Sequence, residues 1–215
     1  NHADSSACII KNGELLFAVE EERINRIKHW AGLPCESIKA CLKYTNTDLS
    51  DITDISINSN PYSNLNHKIT YFLKNYLFGQ KKFEIVNRLK KKLTLKRDIN
   101  NFFNPNNLSE KVNIHYIDHH ISHIASAFFP SNYKKAVGLS IDGFGDFCSL
   151  SIATCEDEKI KIIKKEFFPN SLGVFYESFT QLIGFKNYGD EYKMMGLSSY
   201  GKPKYFDIIL NNIFK

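Results

Sequence analysis

His119 and His123 stand four residues apart in the stretch HYIDHHISHIASAFF, His115 to Phe129. From about His119, Ile121, Ile124, Ala125 and Phe128 recur at spacings of three and four, which predicts a helix. Both imidazoles then leave one helix face near its first turn. That is the spacing with which a helix offers two nitrogens to one metal ion. The plainer alternative is a pair of surface histidines. A second stretch, IDGFGD from Ile141 to Asp146, follows the apolar run AVGLSI, which reads as a buried strand. Asp142 is expected at that strand's end, where open α/β sheets collect ligands. It can be a third metal ligand or can hold a metal-bound water. Gly143 and Gly145 would allow a tight turn whose amides approach a phosphate, with Asp146 closing it. A strand-to-strand turn with a capping aspartate explains the same residues without a ligand.

The elements that must position these groups are legible around them. Val112 to Ile117 reads as a strand leading into the histidine helix. Ala7 to Ile10 and Leu15 to Val19 read as a hairpin, with Asn12-Gly13 as a type I′ turn. His2 and Asp4 therefore lie in the loop that opens the hairpin. Glu20, Glu21 and Glu22 beside Arg23 can form an ion-pair network or an acid/base group. A helix is expected from Pro34 to about Tyr44, then a strand at DISIN from Asp54. Ala136 to Ile141, Cys148 to Thr154 and Ile160 to Phe167 predict an antiparallel meander, followed by a helix from Val174 to Ile183. Lys193, among small residues in EYKMMGLSSYG, can contact an anionic group; a surface lysine is the simpler account.

The chain has 215 residues with 43% hydrophobic and 13% aromatic content, enough for a real core and unlike a disordered chain. No apolar run approaches the roughly 20 residues that span a bilayer. The five cysteines form no C-x-x-C pair and read as reduced thiols, so a cytoplasmic protein without membrane contact is expected. The net charge of +5 comes mostly from Lys81 to Arg97. That segment belongs to an insertion at about 60–107 whose solvated lysine face is favoured over a nucleic-acid role. Both ends read as cut, which suggests a piece of something longer.

Taken together, NHADSSA, NGELLFAVEEERINRIKHWAGLP, HHISHIASAFF, IDGFGD, SLGVFYE and EYKMMGLSSYG resemble the carbamoyltransferase family that includes the nodulation and antibiotic O-carbamoyltransferases. The motifs run in order from Asn1 to about Gly201. The resemblance implies an α/β fold of the actin-like ATPase, ribonuclease H-like type. Residues 1–131 would form its first subdomain, with the basic helical insertion inside it, and 132–215 would begin the second. The C-terminal remainder and a YrdC-like domain would be absent. His119, His123 and Asp142 would hold a divalent metal, Fe²⁺ as in relatives, with Mn²⁺ or Zn²⁺ also suited. A further aspartate ligand would lie beyond Lys215. Gly143, Gly145, Asp146 and Lys193 would face a bound nucleotide. His2, with Asp4, would help deprotonate an acceptor hydroxyl; the usual spelling places His directly beside Asp, and Ala3 separates them here. Carbamoyl phosphate and ATP would give carbamoyl-adenylate, and the carbamoyl group would pass to a hydroxyl of a sugar or natural product. The chain would not turn over alone, and a homodimer fits the reading. Two rivals remain: an actin-like small-molecule kinase or nucleotide hydrolase, which needs no histidine pair, and a nucleic-acid-binding module built on the basic insertion.

Overall fold

Two turns with paired positive φ angles set the strand pairing at both ends of the first compact unit. In the computed structural model, which describes residues 4–78, 101–102 and 112–213, Asn12 and Gly13 have φ of 54° and 84° and join β1 (Ser6–Lys11) to β2 (Glu14–Glu20). Lys11 lies opposite Glu14, so the connection is a two-residue loop of the primed kind. The second such turn lies at Asp146 and Phe147, with φ of 50° and 72°. It joins β5 (Lys135–Gly145) to β6 (Cys148–Glu156), with Gly145 opposite Cys148. The expected turn at Gly143 and Gly145 is therefore displaced. Strand β5 runs through both glycines with an irregular register between Ile141 and Gly145, and neither glycine has a positive φ.

Among the described residues the strands form three small sheets, giving a mixed α/β structure. The β1–β2 hairpin is antiparallel and packs against α2 (Cys35–Thr45). The short α1 (Glu21–Asn25) leaves β2 directly. Pro34 precedes α2 and supplies no side-chain cap. The buried Glu21 carboxylate does so from α1, accepting from the Glu36 and Ser37 amides at 3.1 and 2.7 Å. A carboxylate at a helix N-terminus satisfies orphan amides and meets the positive end of the helix dipole. Strand β3 (Asp54–Ile57) pairs in parallel with β4 (Asn113–Tyr116). Between them in sequence lies α3 (Leu65–Phe78). The basic run Lys81 to Arg97 lies outside the described residues.

The histidine helix, α4 (His119–Phe128), packs on the antiparallel sheet of β5, β6 and β7 (Lys159–Phe167). Ile124 and Phe128 meet Ala153 and Cys155 there, with Ala136, Ile160 and Ile162 closing around them. Gly138 lets the helix come close: a Cβ there would stand 2.5 Å from Ile124 Cγ2. The contacts divide the chain into two units, Asn1–Ser171 and Leu172–Lys215. The second unit holds α5 (Leu172–Leu182), α6 (Glu191–Ser198) and α7 (Phe206–Asn212). All five cysteines are free. Among the described residues no helix is long and apolar enough to cross a membrane.

Candidate metal centre

Asp118 starts α4. Its Oδ1 accepts from the His120 and Ile121 amides at 3.1 and 3.4 Å, while Oδ2 takes the Lys165 ammonium at 2.8 Å. Burial pushes this carboxyl up, but Lys165 and the two amides outweigh it and hold the group below the usual carboxylate range. Asp118→Ala is expected to cost about 2 kcal/mol at neutral pH, because it removes a cap and strands a partly buried ammonium. A depressed folded pKa contributes stability above the unfolded value and loses it as pH falls through the folded one. The difference between wild type and variant should therefore shrink below about pH 4, measured by urea denaturation across pH.

The next residue is held from the opposite side. Asp146, only 2% exposed, accepts from Ser59 Oγ at 2.6 Å, from the Asn60 amide at 2.7 Å and from the His119 amide at 3.0 Å. One carboxylate thus ties the β5–β6 turn to the segment after β3 and to the first residue of α4. Asn64 Nδ2 donates to the Asp146 carbonyl at 2.9 Å and strengthens the same junction. His120, fully buried, bridges Ser140 Oγ and the Cys148 carbonyl at 2.8 Å each and fixes the helix over the sheet.

On the adjoining face of α4 three ligand atoms converge. His119 Nε2 lies 2.7 Å from Asp142 Oδ2 and 3.0 Å from His123 Nε2, and His123 Nε2 lies 3.7 Å from Asp142 Oδ2. Two donors at about 2.1 Å from one cation, subtending 90° to 110°, stand roughly 3.0–3.4 Å apart. The observed separations bracket that range. Gly145 makes room for the first ring, since a Cβ there would fall 1.9 Å from His119 Cδ2. Its side of the strand is bare to admit an imidazole rather than to permit a left-handed turn. Asp142 is itself pinned: its Oδ1 accepts from the Gly143 amide at 2.6 Å, and Ser171 Oγ donates to the Asp142 and Gly143 carbonyls.

The hydrogen-bond partners of the cluster constrain where its protons lie. His119 Nδ1 lies 3.3 Å from the Asn58 carbonyl, which can only accept, so Nδ1 carries hydrogen. A neutral His119 would then present a lone pair at Nε2 to the carboxylate and to the second imidazole. The Asp142 carboxylate 2.7 Å from that lone pair is repelled unless a proton or a metal ion lies between them, while His123 Nε2 donates or accepts according to its tautomer. The hydrogen bond from His119 is the main cause holding the Asp142 carboxyl at about 2, with burial opposing it and the Gly143 amide adding to it. Burial, then the charge of His119, pushes His123 below the usual imidazole range. Carboxylate ionised and His123 neutral is the protonation state a metal ion requires. The Asn58 carbonyl on Nδ1 is also the outer-sphere contact that orients a ligating histidine. Two imidazoles and one carboxylate suit Fe²⁺, Mn²⁺ or Zn²⁺.

The other residues singled out by sequence fall as follows. His2 lies outside the described residues. Asp4 belongs to a second group, with Glu22 and His29. Gly143 has open space where a Cβ would be, and the Asp146 side chain is engaged by protein donors as described. Lys193, in the second unit, pairs with Asp190 at 2.6 Å across one turn. Three positioning residues escaped the sequence reading: Asp118, His120 and Asn58. An aspartate just before a predicted helix is an N-cap signal that could have found the first. The other two depend on tertiary contacts.

A family profile described as "Carbamoyltransferase N-terminus" matches residues 1–215. An uncharacterized protein of Synechocystis sp., sll1178, is 34% identical over 222 residues, covering 98% of this chain and 35% of that protein. Nodulation protein NolNO of Sinorhizobium fredii is 35% identical over 204 residues, covering 93% of this chain and 28% of its own. An uncharacterized protein of Methanocaldococcus jannaschii, MJ1051, is 32% identical over 197 residues, covering 92% and 31%. The chain thus spans about a third of the length of these curated relatives.

Proposed function

Because the chain belongs to the carbamoyltransferase family that this N-terminal profile describes, we propose that it is the metal-holding N-terminal part of an O-carbamoyltransferase on an actin-like ATPase scaffold. Carbamoyl phosphate, losing its phosphate to water, supplies carbamate, whose oxygen bonds to the α-phosphorus of ATP as pyrophosphate leaves, giving carbamoyl-adenylate; the acceptor is a hydroxyl of a sugar or natural product. The observation that carries the reading is the convergence of His119, His123 and Asp142 at 2.7–3.7 Å. A divalent cation bound there supplies positive charge to a nucleotide phosphate and so eases its departure.

The chain's own residues do the rest. Asn58 fixes the tautomer of His119, and the Gly143 amide and Ser171 hold Asp142 in place. In the transfer step the acceptor oxygen bonds to the carbamoyl carbon, and the bond from that carbon to the adenylate phosphate oxygen breaks. AMP leaves with the electron pair. The acceptor's proton goes to a base, a role this reading gives to His2. Gly143, where a Cβ would meet open space, is assigned to the nucleotide.

Equilibrium dialysis of labelled ATP against the chain tests the premise. Binding should require Mn²⁺ or Fe²⁺, vanish with a chelator and vanish in His123→Ala. Metal-dependent ATP binding that survives His123→Ala would instead favour an actin-like kinase or nucleotide hydrolase, which needs no histidine pair.

A further inference from the structure

A second convergence of ligating side chains lies away from α4, at the start of the β1–β2 hairpin. Asp4, Glu22 and His29 bring ligand atoms within 4.8 Å of one another. They come from three separate stretches: the segment before β1, helix α1 and the loop after it. His29 Nδ1 and Asp4 Oδ1 are 2.9 Å apart, and the His29 amide donates to Glu22 Oε2 at 3.1 Å. The backbone around them is tied independently of these side chains. The Ser5 amide donates to the Trp30 carbonyl at 3.2 Å, Ser5 Oγ donates to the Gly32 carbonyl at 2.8 Å, and the Glu21 amide donates to the Ser5 carbonyl at 2.9 Å. Asp4 and His29 both hold left-handed backbone, with φ of 61° and 55°. A non-glycine residue in that region persists where its surroundings over-determine it.

We infer that Asp4, Glu22 and His29 hold a second divalent cation. Two carboxylates and one imidazole bring ligand atoms together, and the arginine of α1, Arg23, pairs with Glu20. Two negative groups gathered this closely are stabilised by a shared cation. The oxygen-rich donor set selects a harder ion than the α4 centre does, Mn²⁺ or Mg²⁺. Partial exposure, 51% for the Asp4 side chain and 39% for His29, leaves room for water to complete the coordination sphere. The inference does not rest on the carbamoyl reading.

Mn²⁺ titration of the full chain, followed by the electron paramagnetic resonance of the free ion, separates the two centres. The wild type should bind two ions and His123→Ala one. Adding Asp4→Asn or Glu22→Gln to His123→Ala should weaken that remaining site by more than about 10-fold. In the His123→Ala chain, Mn²⁺ should also broaden the imidazole proton resonances of His29, a readout that needs no further substitution. A His123→Ala chain that binds no ion and leaves His29 sharp would overturn the inference. So would a remaining site indifferent to both hairpin-side substitutions. A wild type that binds a single ion, broadening His29 and unaffected by His123→Ala, would sink the α4 centre and leave this one standing.

Discussion

Alanine at His123 is expected to weaken divalent-cation binding at the α4 centre by more than about 100-fold while barely changing stability. Loss of an outer-sphere partner alone costs about 10–100-fold in metal affinity, and loss of a ligand itself should cost more. The stability estimate follows from exposure. The His123 side chain is 53% accessible, and substitutions at such positions generally stay within about ±0.5 kcal/mol. His123 therefore separates metal binding from folding more cleanly than His119, whose amide and ring are both built into the junction. Isothermal titration with Mn²⁺, paired with a thermal melt in chelator, reads both quantities. Affinity should also fall as pH is lowered, since protons compete for the imidazoles. With His123 pushed below its usual range, that fall should come below about pH 6.5.

The largest stability effect is expected at Asp146. Asp146→Ala should cost about 3–5 kcal/mol, because it deletes one carboxylate that serves three donors and leaves two backbone amides wanting partners in a buried site. Asp146→Asn should cost only about 1–2 kcal/mol. Its amide oxygen can still accept from the Asn60 and His119 amides, and its NH₂ can donate to Ser59 once that hydroxyl turns. Urea denaturation at constant slope measures both. Equal losses for the two variants would mean that charge, not acceptor placement, holds this junction.

These two residues show what the sequence exposes and what it hides. The histidine pair is legible because helical period and ligand spacing coincide over four residues. The Asn12-Gly13 hairpin and the β5–β7 meander are legible for a similar reason: turn chemistry and alternation are local. Asp146 was visible only as one end of a glycine-rich turn. Its partners Ser59 and Asn60 lie more than 80 positions earlier, and no local pattern announces such a contact. Glu21 is a like case. The triple-glutamate run suggests a solvated charge cluster, yet its middle member is buried as the cap of a different helix. The parallel pairing of β3 with β4 joins residues 59 apart, with an insertion between them. Gly145 in its sequence setting suggests backbone freedom, whereas what it provides is space for the His119 ring. In each case the missing information is which distant group fills the space beside a residue.

The central claim is that His119, His123 and Asp142 share one cation, and X-ray absorption at the metal edge tests it most directly. The chain loaded with one equivalent of Fe²⁺ should show the outer-shell scattering of two imidazoles beside light-atom ligands at about 2.1 Å, a two-imidazole signature that His123→Ala should lose. A spectrum of fully hydrated iron, identical in the two proteins, would contradict it.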